Sequence, residues 1–380
     1  MTLKNINQYI CFAFHSIIYR LRIKPRWHFD VVIVRSDAIG DFVMWMSAVP
    51  YYREKYQGKS ILLICPTSDY LLAEATGCFD DIFTFDRMAV EEKVWYNVKY
   101  MLTMKRIYAD TVINPTWQHQ MSADYICAMI NATNKIETLV QRQGLREKWC
   151  DKYFTNLVEM PDLKTASEFE AIECFTQKVI SPDFRYLLTD MSKIVDGKIA
   201  SISVPYCCIS LSASIERKNW PIDRVSQIMK SIPEKFCIVL MGYGKEDMEK
   251  SSYLIIQDEG RHIIYNYVNK TSVLDMLKII SGSTFVLGND SVAIHMAAAC
   301  RVRSICYTHG AHFKRFVPYP DFIPEKLYHP RCVFKKMDCY GCNYRCKYDS
   351  THDKPLYCLR MVTADMVIAK LQELITEITN

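Results

Sequence analysis

From residue 29 onward the chain alternates short runs of branched and aromatic residues with stretches of helical spacing. No other feature restricts the fold as much. The runs FDVVIVR (29–35), SILLIC (60–65), DIFTF (81–85) and DTVIN (110–114) read as buried strands bounded by turn residues. Helical spacing fills the gaps, as in 41–56 and 68–75. Strand then helix, repeated, implies parallel βαβ units with both sheet faces covered. The alternation fades over 152–204, a stretch containing Pro161 and Pro182, and resumes with strands at 206–211, 236–241, 262–265, 284–288 and 304–307. Thr271 or Ser272 followed by Asp275 marks the start of a helix over 272–281. The expected architecture is α/β, with two Rossmann-like, doubly wound domains (29–180 and 205–330) and a polar linker between them (181–204). A segment of 28 residues precedes them, and a cysteine-rich segment with a C-terminal helix (331–380) follows. In such folds ligands gather at the carboxyl ends of the strands, here also between the halves.

Charge placement narrows the function. The net charge of +5 is matched by Lys4, Arg20, Arg22, Lys24 and Arg26, with no acidic residue among the first 28, so the remainder is formally neutral. That argues against a chain-wide nucleic-acid surface. No run reaches the roughly 18–20 apolar residues that span a bilayer. The apolar stretch Tyr9–Tyr19 also makes a poor signal peptide, because its basic cluster follows it. Most of the 16 cysteines sit in apolar runs such as Tyr206-Cys207-Cys208-Ile209, as small core residues. A reducing, cytoplasmic compartment is the expectation.

Four loops could carry chemistry. The first strand ends in Arg35-Ser36-Asp37-Ala38-Ile39-Gly40-Asp41. There Asp41 is either a helix N-cap or a carboxylate able to take a proton from a substrate hydroxyl. Ser210-Leu211-Ser212-Ala213-Ser214, followed by Lys218-Asn219-Trp220-Pro221, offers hydroxyl donors and a compact cation for a phosphate, or is a polar loop with a solvated lysine. Gly242-Tyr243-Gly244-Lys245-Glu246-Asp247 fails as a dinucleotide fingerprint, because Asp247 occupies the third glycine position. It reads as a strand-to-helix turn from which Glu246 could reach a ribose. In Gly288-Asn289-Asp290-Ser291-Val292-Ala293-Ile294-His295 a strand runs straight into a helix of small residues, whose N-terminus suits a pyrophosphate. His295 lies one turn below Ser291, as a catalyst or as a structural hydrogen-bonder.

Taken in order, Arg-x5-Gly-Asp, Lys-x-Trp-Pro, Gly-x3-Glu and Gly-Asn-Asp-Ser-x3-His-x-Ala-Ala-Ala resemble glycosyltransferase family 9, the ADP-heptose:lipopolysaccharide heptosyltransferases, over roughly residues 29–368. The resemblance implies a GT-B fold, two Rossmann-like domains facing each other across a cleft, and inverting transfer without a catalytic cofactor. It implies a nucleotide-diphosphate sugar, ADP-heptose, on the second domain and a lipid-linked lipopolysaccharide or other surface-glycan acceptor on the first. Residue by residue, it makes Asp41 the general base and Lys218, with Ser214, the neutraliser of the donor diphosphate. Glu246 becomes the acid near the ribose, and Asp290, Ser291, Ala293 and His295 the diphosphate and sugar site. Arg35 and Ser36 fall on the acceptor side. One departure is Val292, where the family commonly has glycine, which would reshape the sugar pocket. A different nucleotide sugar, an epimerase-like GT-B enzyme, or a non-catalytic nucleotide-sugar-binding protein are the alternatives.

Two segments need their own reading. Cys339, Cys342, Cys346 and Cys358 offer four thiolates to a structural Zn or Fe, with reduced core thiols or disulfides as rivals. In the N-terminal segment Ile6, Ile10, Ala13, Ile17 and Leu21 recur at helical spacing, widened by Tyr9, Phe12, Phe14 and Ile18, with the basic residues and Trp27 directly after. This predicts either an interfacial helix on the inner leaflet of the membrane or a helix docked on the protein's own surface.

Overall fold

The computed structural model describes residues 3–117, 120–139, 151–195, 202–348 and 355–379. The chain forms two compact units, 1–163 with 168–186, and 164–167 with 187–380. Each unit contains a six-stranded sheet whose pairings are all parallel.

In the first unit the strands are β1 (Trp27–Val34), β2 (Ile61–Pro66), β3 (Asp81–Phe85), β4 (Ile107–Asn114), β5 (Asn131–Leu139) and β6 (Asn156–Glu159). Their order is β3-β2-β1-β4-β5-β6. The central strands are the β-branched ones, and β2 is buried at every position, as a strand covered on both faces must be. Four strands fall where the periodicity puts them. β5 and β6 lie outside the expectation: β5 (NATNKIETL) is half polar, and β6 is a four-residue strand at the sheet edge. The expected helix over 41–56 is two helices, Ile39–Trp45 and Val49–Lys55, the second with proline in its first turn, where a missing N–H costs nothing.

The second sheet is built from β7 (Tyr206–Ser210), β8 (Cys237–Met241), β9 (Ile264–Asn266), β10 (Phe285–Asn289), β11 (Arg303–Tyr307) and β12 (Arg331–Val333), in the order β12-β11-β10-β7-β8-β9. Only β12, three residues long, had no sequence signal. The helix Val273–Ser281 starts as expected: the Ser272 hydroxyl accepts from the Asp275 N–H, and the Asp275 carboxylate accepts from the Ser272 N–H. Cys207 and Cys208 are fully buried in β7, and burial pushes the Cys208 thiol up to about 12, so it is an inert apolar filler. Residues 196–201 of the expected linker lie outside the described residues.

The N-terminal helix Leu3–Arg20 belongs to the first unit. Cys11, His15 and Ile18 are buried, and Ile18 joins the core cluster around Val32, Leu62 and Val112. His15 Nε2 lies 2.6 Å from Asn97 Oδ1, and Asn97 donates onward to the Val90 carbonyl at 2.8 Å. The expected stripe is the opposite face: Ile10, Ala13, Ile17 and Leu21 point outward beside exposed Tyr9, whereas Ile18 turns inward. The helix is therefore docked and also apolar on its free face. The side chains of Ile6 and Phe12 lie outside the described set. Among the described residues no helix is long and apolar enough to cross a membrane.

Candidate active site

The second unit gathers the strongest constellation at the carboxyl end of β10. Asp290 follows that strand and is almost fully buried. Lys218 Nζ lies 3.9 Å from Asp290 Oδ2 and donates to the Asp290 carbonyl at 3.4 Å. His309 Nε2 stands 3.3 Å from the same carboxylate, and His295 Nε2 3.9 Å from its other oxygen. Burial alone would raise the Asp290 pKa, but Lys218, His309 and His295 outweigh it and hold the group well below the usual carboxylate range. Burial lowers both imidazoles, His295 to about 4. At neutral pH they are uncharged, so Lys218 carries the compensating charge.

Beside this pair starts the helix Val292–Ala299, capped at Ser291 by backbone geometry with no side-chain cap bond. The Ser291 hydroxyl is buried and has no hydrogen-bond partner. A helix N-terminus, an unused hydroxyl and a nearby ammonium are donors aimed at one place, which is what an anion requires. Ala293 is fully buried, and Gly288 on β10 packs against Ser210, so small residues here let helix and sheet approach closely. His295 Nδ1 pairs with the Tyr319 hydroxyl at 2.9 Å, which fixes the ring in the wall of this cluster.

Two expected donor residues stand apart from this cluster. Ser214 is exposed; the hydroxyl tied into the fold is Ser212, bonded to Asp247 and accepting from Lys250 at 2.8 Å. Glu246 is exposed and pairs with Lys250 at 2.6 Å. The buried carboxylate there is Asp247, which accepts from the Tyr243 N–H at 2.9 Å and fills the space that a side chain at Gly242 would need. The residue that breaks the glycine fingerprint therefore holds the turn together.

In the first unit Asp41 is not the N-cap. Ala38 caps the helix Ile39–Trp45, and Asp41, in its first turn, reaches back to accept the Ala38 N–H at 3.2 Å. It is half-buried and so remains open to a substrate. Arg35 is fully buried, with its guanidinium 2.7 Å from Asp37, 3.9 Å from Glu168 and 5.3 Å over the Trp45 ring. It also donates to the Asp41 carbonyl at 3.4 Å, so it fixes the loop that presents Asp41. Ser36 is buried and donates to Gln120 Oε1 at 3.4 Å. Sequence reasoning missed Asp37 and Asp69, both buried near the carboxyl ends of β1 and β2. Burial drives both carboxyls upward, Asp69 to about 7. A pocket of 440 Å³, lined by Asp37, Ala38, Ile39, Thr67, Ser68 and Arg87, opens beside them. The available signal was position: acidic residues just past a parallel strand.

The four cysteines do come together in part. Burial raises the Cys358 thiol, and Cys339, Cys342 and Cys346 raise it further, so all four lie within electrostatic reach. The Gly310 N–H donates to Cys358 Sγ at 3.2 Å. Among the described residues, however, no group of three or more His, Cys, Asp or Glu side chains has the proximity to hold a metal ion. The thiols are a loose cluster rather than a closed tetrahedral set.

Comparison with known proteins agrees with the fold. Residues 159–319 match the model of glycosyltransferase family 9 (heptosyltransferase). No curated protein sequence matches. The structure resembles E. coli ADP-heptose lps heptosyltransferase II (TM-score 0.63, 14% identity, 92% of this chain and 100% of that one). It also resembles E. coli heptosyltransferase WaaC, solved with ADP-2-deoxy-2-fluoro heptose (TM-score 0.67, 14% identity, 90% and 99%). A third match is the iron-containing dodecameric heptosyltransferase TibC, solved with ADP-D-beta-D-heptose (TM-score 0.51, 15% identity, 94% and 80%). The two parallel α/β units give the chain the GT-B fold of these heptosyltransferases, and its residues 159–319 carry a match to glycosyltransferase family 9.

Proposed function

We propose that the chain transfers a heptose from ADP-heptose to lipopolysaccharide or a related surface glycan, with inversion at the anomeric carbon. One observation carries the donor assignment. A buried carboxylate–lysine pair sits beside a helix N-terminus whose capping hydroxyl is unused. Lys218 and the helix start stabilise the departing diphosphate, where negative charge builds in the transition state. The first unit takes the acceptor, and the 440 Å³ pocket beside Asp37 is room for a sugar. Asp41 removes the proton from the attacking hydroxyl. Val292 favours a second reading, a different nucleotide sugar, because its side chain stands in the first turn of the diphosphate helix.

The test is incubation with a panel of nucleotide sugars, with and without a lipopolysaccharide-type acceptor, following release of nucleoside diphosphate. Acceptor-stimulated release from ADP-heptose supports the reading. Release only from another donor selects the second one, and release from none leaves a nucleotide-sugar-binding protein.

The same proposal places the protein in the cytoplasm, on the inner leaflet, where a lipid-linked acceptor resides. The free face of the N-terminal helix exposes Ile10, Ile17 and Leu21, with Trp95 79% exposed nearby. A pocket of 470 Å³ lined by Arg20, Arg22, Lys24 and Lys105 lies at its C-terminal end. Apolar side chains beside clustered cations suit an anionic lipid surface, each cation adding on the order of 1 kcal/mol. A structural Zn or Fe at Cys339, Cys342, Cys346 and Cys358 would require the loose thiol cluster to draw together around the ion; about one metal per chain in protein purified without chelator supports it, and none leaves reduced thiols.

A further inference from the structure

The segment bearing Cys339, Cys342 and Cys346 is stitched to the donor loops rather than lying apart from them. The Gly341 N–H donates to the Gly310 carbonyl at 2.8 Å, and the Asn343 N–H to the Ala311 carbonyl at 3.0 Å. His312 Nε2 lies 2.7 Å from Asn343 Oδ1. On the other side Arg217, next to Lys218, donates to the Tyr344 carbonyl at 3.5 Å, and its own carbonyl accepts the Leu356 N–H at 2.9 Å. Gly310 is required by this approach, since a side chain there would strike the Tyr340 ring.

These contacts force consecutive non-glycine residues, Asn343 (φ 46°) and Tyr344 (φ 62°), into the left-handed region. Such strain persists only where the surroundings over-determine it, and it clusters at functional sites. Its effect here is to turn the Tyr344 ring inward. The ring meets His312 at 4.8 Å and His309 at 5.8 Å between centroids. The phenol oxygen is buried and lies within hydrogen-bonding reach of the Lys218 ammonium, which can only donate to it, so its own O–H is left without an acceptor. Burial raises its pKa, with Lys218 and Arg315 pulling the other way and Asp290 adding to the rise, so it lies within the field of the same pair that defines the donor site. A protonated phenol with an unused O–H, next to Lys218, is a donor for a phosphate oxygen.

We propose that Tyr344, delivered by the cysteine-bearing segment, is a binding residue for the donor diphosphate, its hydroxyl and the Lys218 ammonium contacting the same phosphate oxygens. This rests on the donor reading above and adds a ligand contact from a part of the chain outside the sequence motifs. The test is Tyr344→Phe, which keeps the ring and its packing and removes only the hydroxyl. ADP, GDP, UDP and the corresponding nucleosides are titrated by calorimetry against wild type and variant, with melting temperature as the control. The expected result is an affinity for the preferred nucleoside diphosphate weakened about tenfold, with nucleoside affinity and melting temperature unchanged. Diphosphate affinity within twofold of wild type overturns the proposal, as does an equal loss for the nucleoside. If wild type itself binds no diphosphate, the donor reading falls and this assignment with it.

Discussion

Replacing Lys218 with methionine keeps the aliphatic stem and deletes the charge that balances Asp290. Asp290 is 4% exposed and its two neighbouring imidazoles are neutral at pH 7.5, so the variant leaves a buried carboxylate without a cation. Breaking a buried pair from one side costs about 3–5 kcal/mol, because the desolvation that the pair offset is now uncompensated. For a unit of this size, about 3 kcal/mol lowers the melting temperature by roughly 6–12 °C. The pH dependence has a definite sign. In the wild type the depressed Asp290 pKa supplies stability that is present above the ordinary value of 3.8 and is lost only as pH falls through the folded value. In the variant burial dominates, the folded pKa lies above 3.8, and the penalty is full at high pH and fades as the carboxyl protonates. His295 and His309, which Lys218 had held down, also charge more readily as pH falls. The wild-type–variant gap measured by calorimetry should therefore shrink between pH 7.5 and pH 5. Adding Asp290→Asn should recover most of the loss, because both charges are then gone. A Lys218→Met protein that melts within about 2 °C of wild type at pH 7.5, or a gap that does not narrow with acid, refutes the reasoning.

Three further outcomes are expected. Asp41→Asn keeps the shape of the first helical turn and removes the proton acceptor, so kcat falls about 10²–10⁴-fold with donor affinity retained; near-normal turnover on the true acceptor would reduce Asp41 to a helix-end residue. His15 is buried neutral, with its pKa pushed down to about 4 from 6.5, so the unfolded chain binds the extra proton and stability drops as pH falls from 6.5 toward 4. The loss is about 2 kcal/mol by pH 5, and His15→Gln should flatten the slope in denaturant titrations. Ile17→Glu with Leu21→Glu changes only exposed positions, so it should leave the melting temperature in place and abolish co-sedimentation with anionic vesicles. Deleting the helix is the poorer experiment, since Cys11, His15 and Ile18 are part of the core; retained vesicle binding by the double variant ends the membrane reading.

Hydrophobic period is local information, and it was enough to find both parallel sheets, most of their strands and the loops at the strands' carboxyl ends. It was silent on β5, whose buried positions are the polar Lys135, Glu137 and Thr138, and on β6 and β12, strands of four and three residues at sheet edges, because a short or largely polar strand has no apolar period to detect. Lys218, Asp290 and His295 were legible because each sits in a motif at a strand or helix end. Asp247 was read as the residue that spoils a motif, since nothing in its neighbours reveals that it folds back to fill the space above Gly242. The partners that define the charge state of the site were not legible at all. Arg35 meets Glu168 across 132 intervening positions, and Asp290 meets His309 and the Tyr344 loop from three different segments of the second unit. Which face of the N-terminal helix is buried follows the same rule. Its pattern holds two apolar stripes, and only the core supplied by Met101, Ala109 and Ile126 selects the one carrying Cys11, His15 and Ile18. Sequence determined the elements and their ends, where short-range patterning suffices; tertiary packing decided the charges, the orphan hydroxyls and the buried faces, because those depend on groups that only folding brings within a few ångströms.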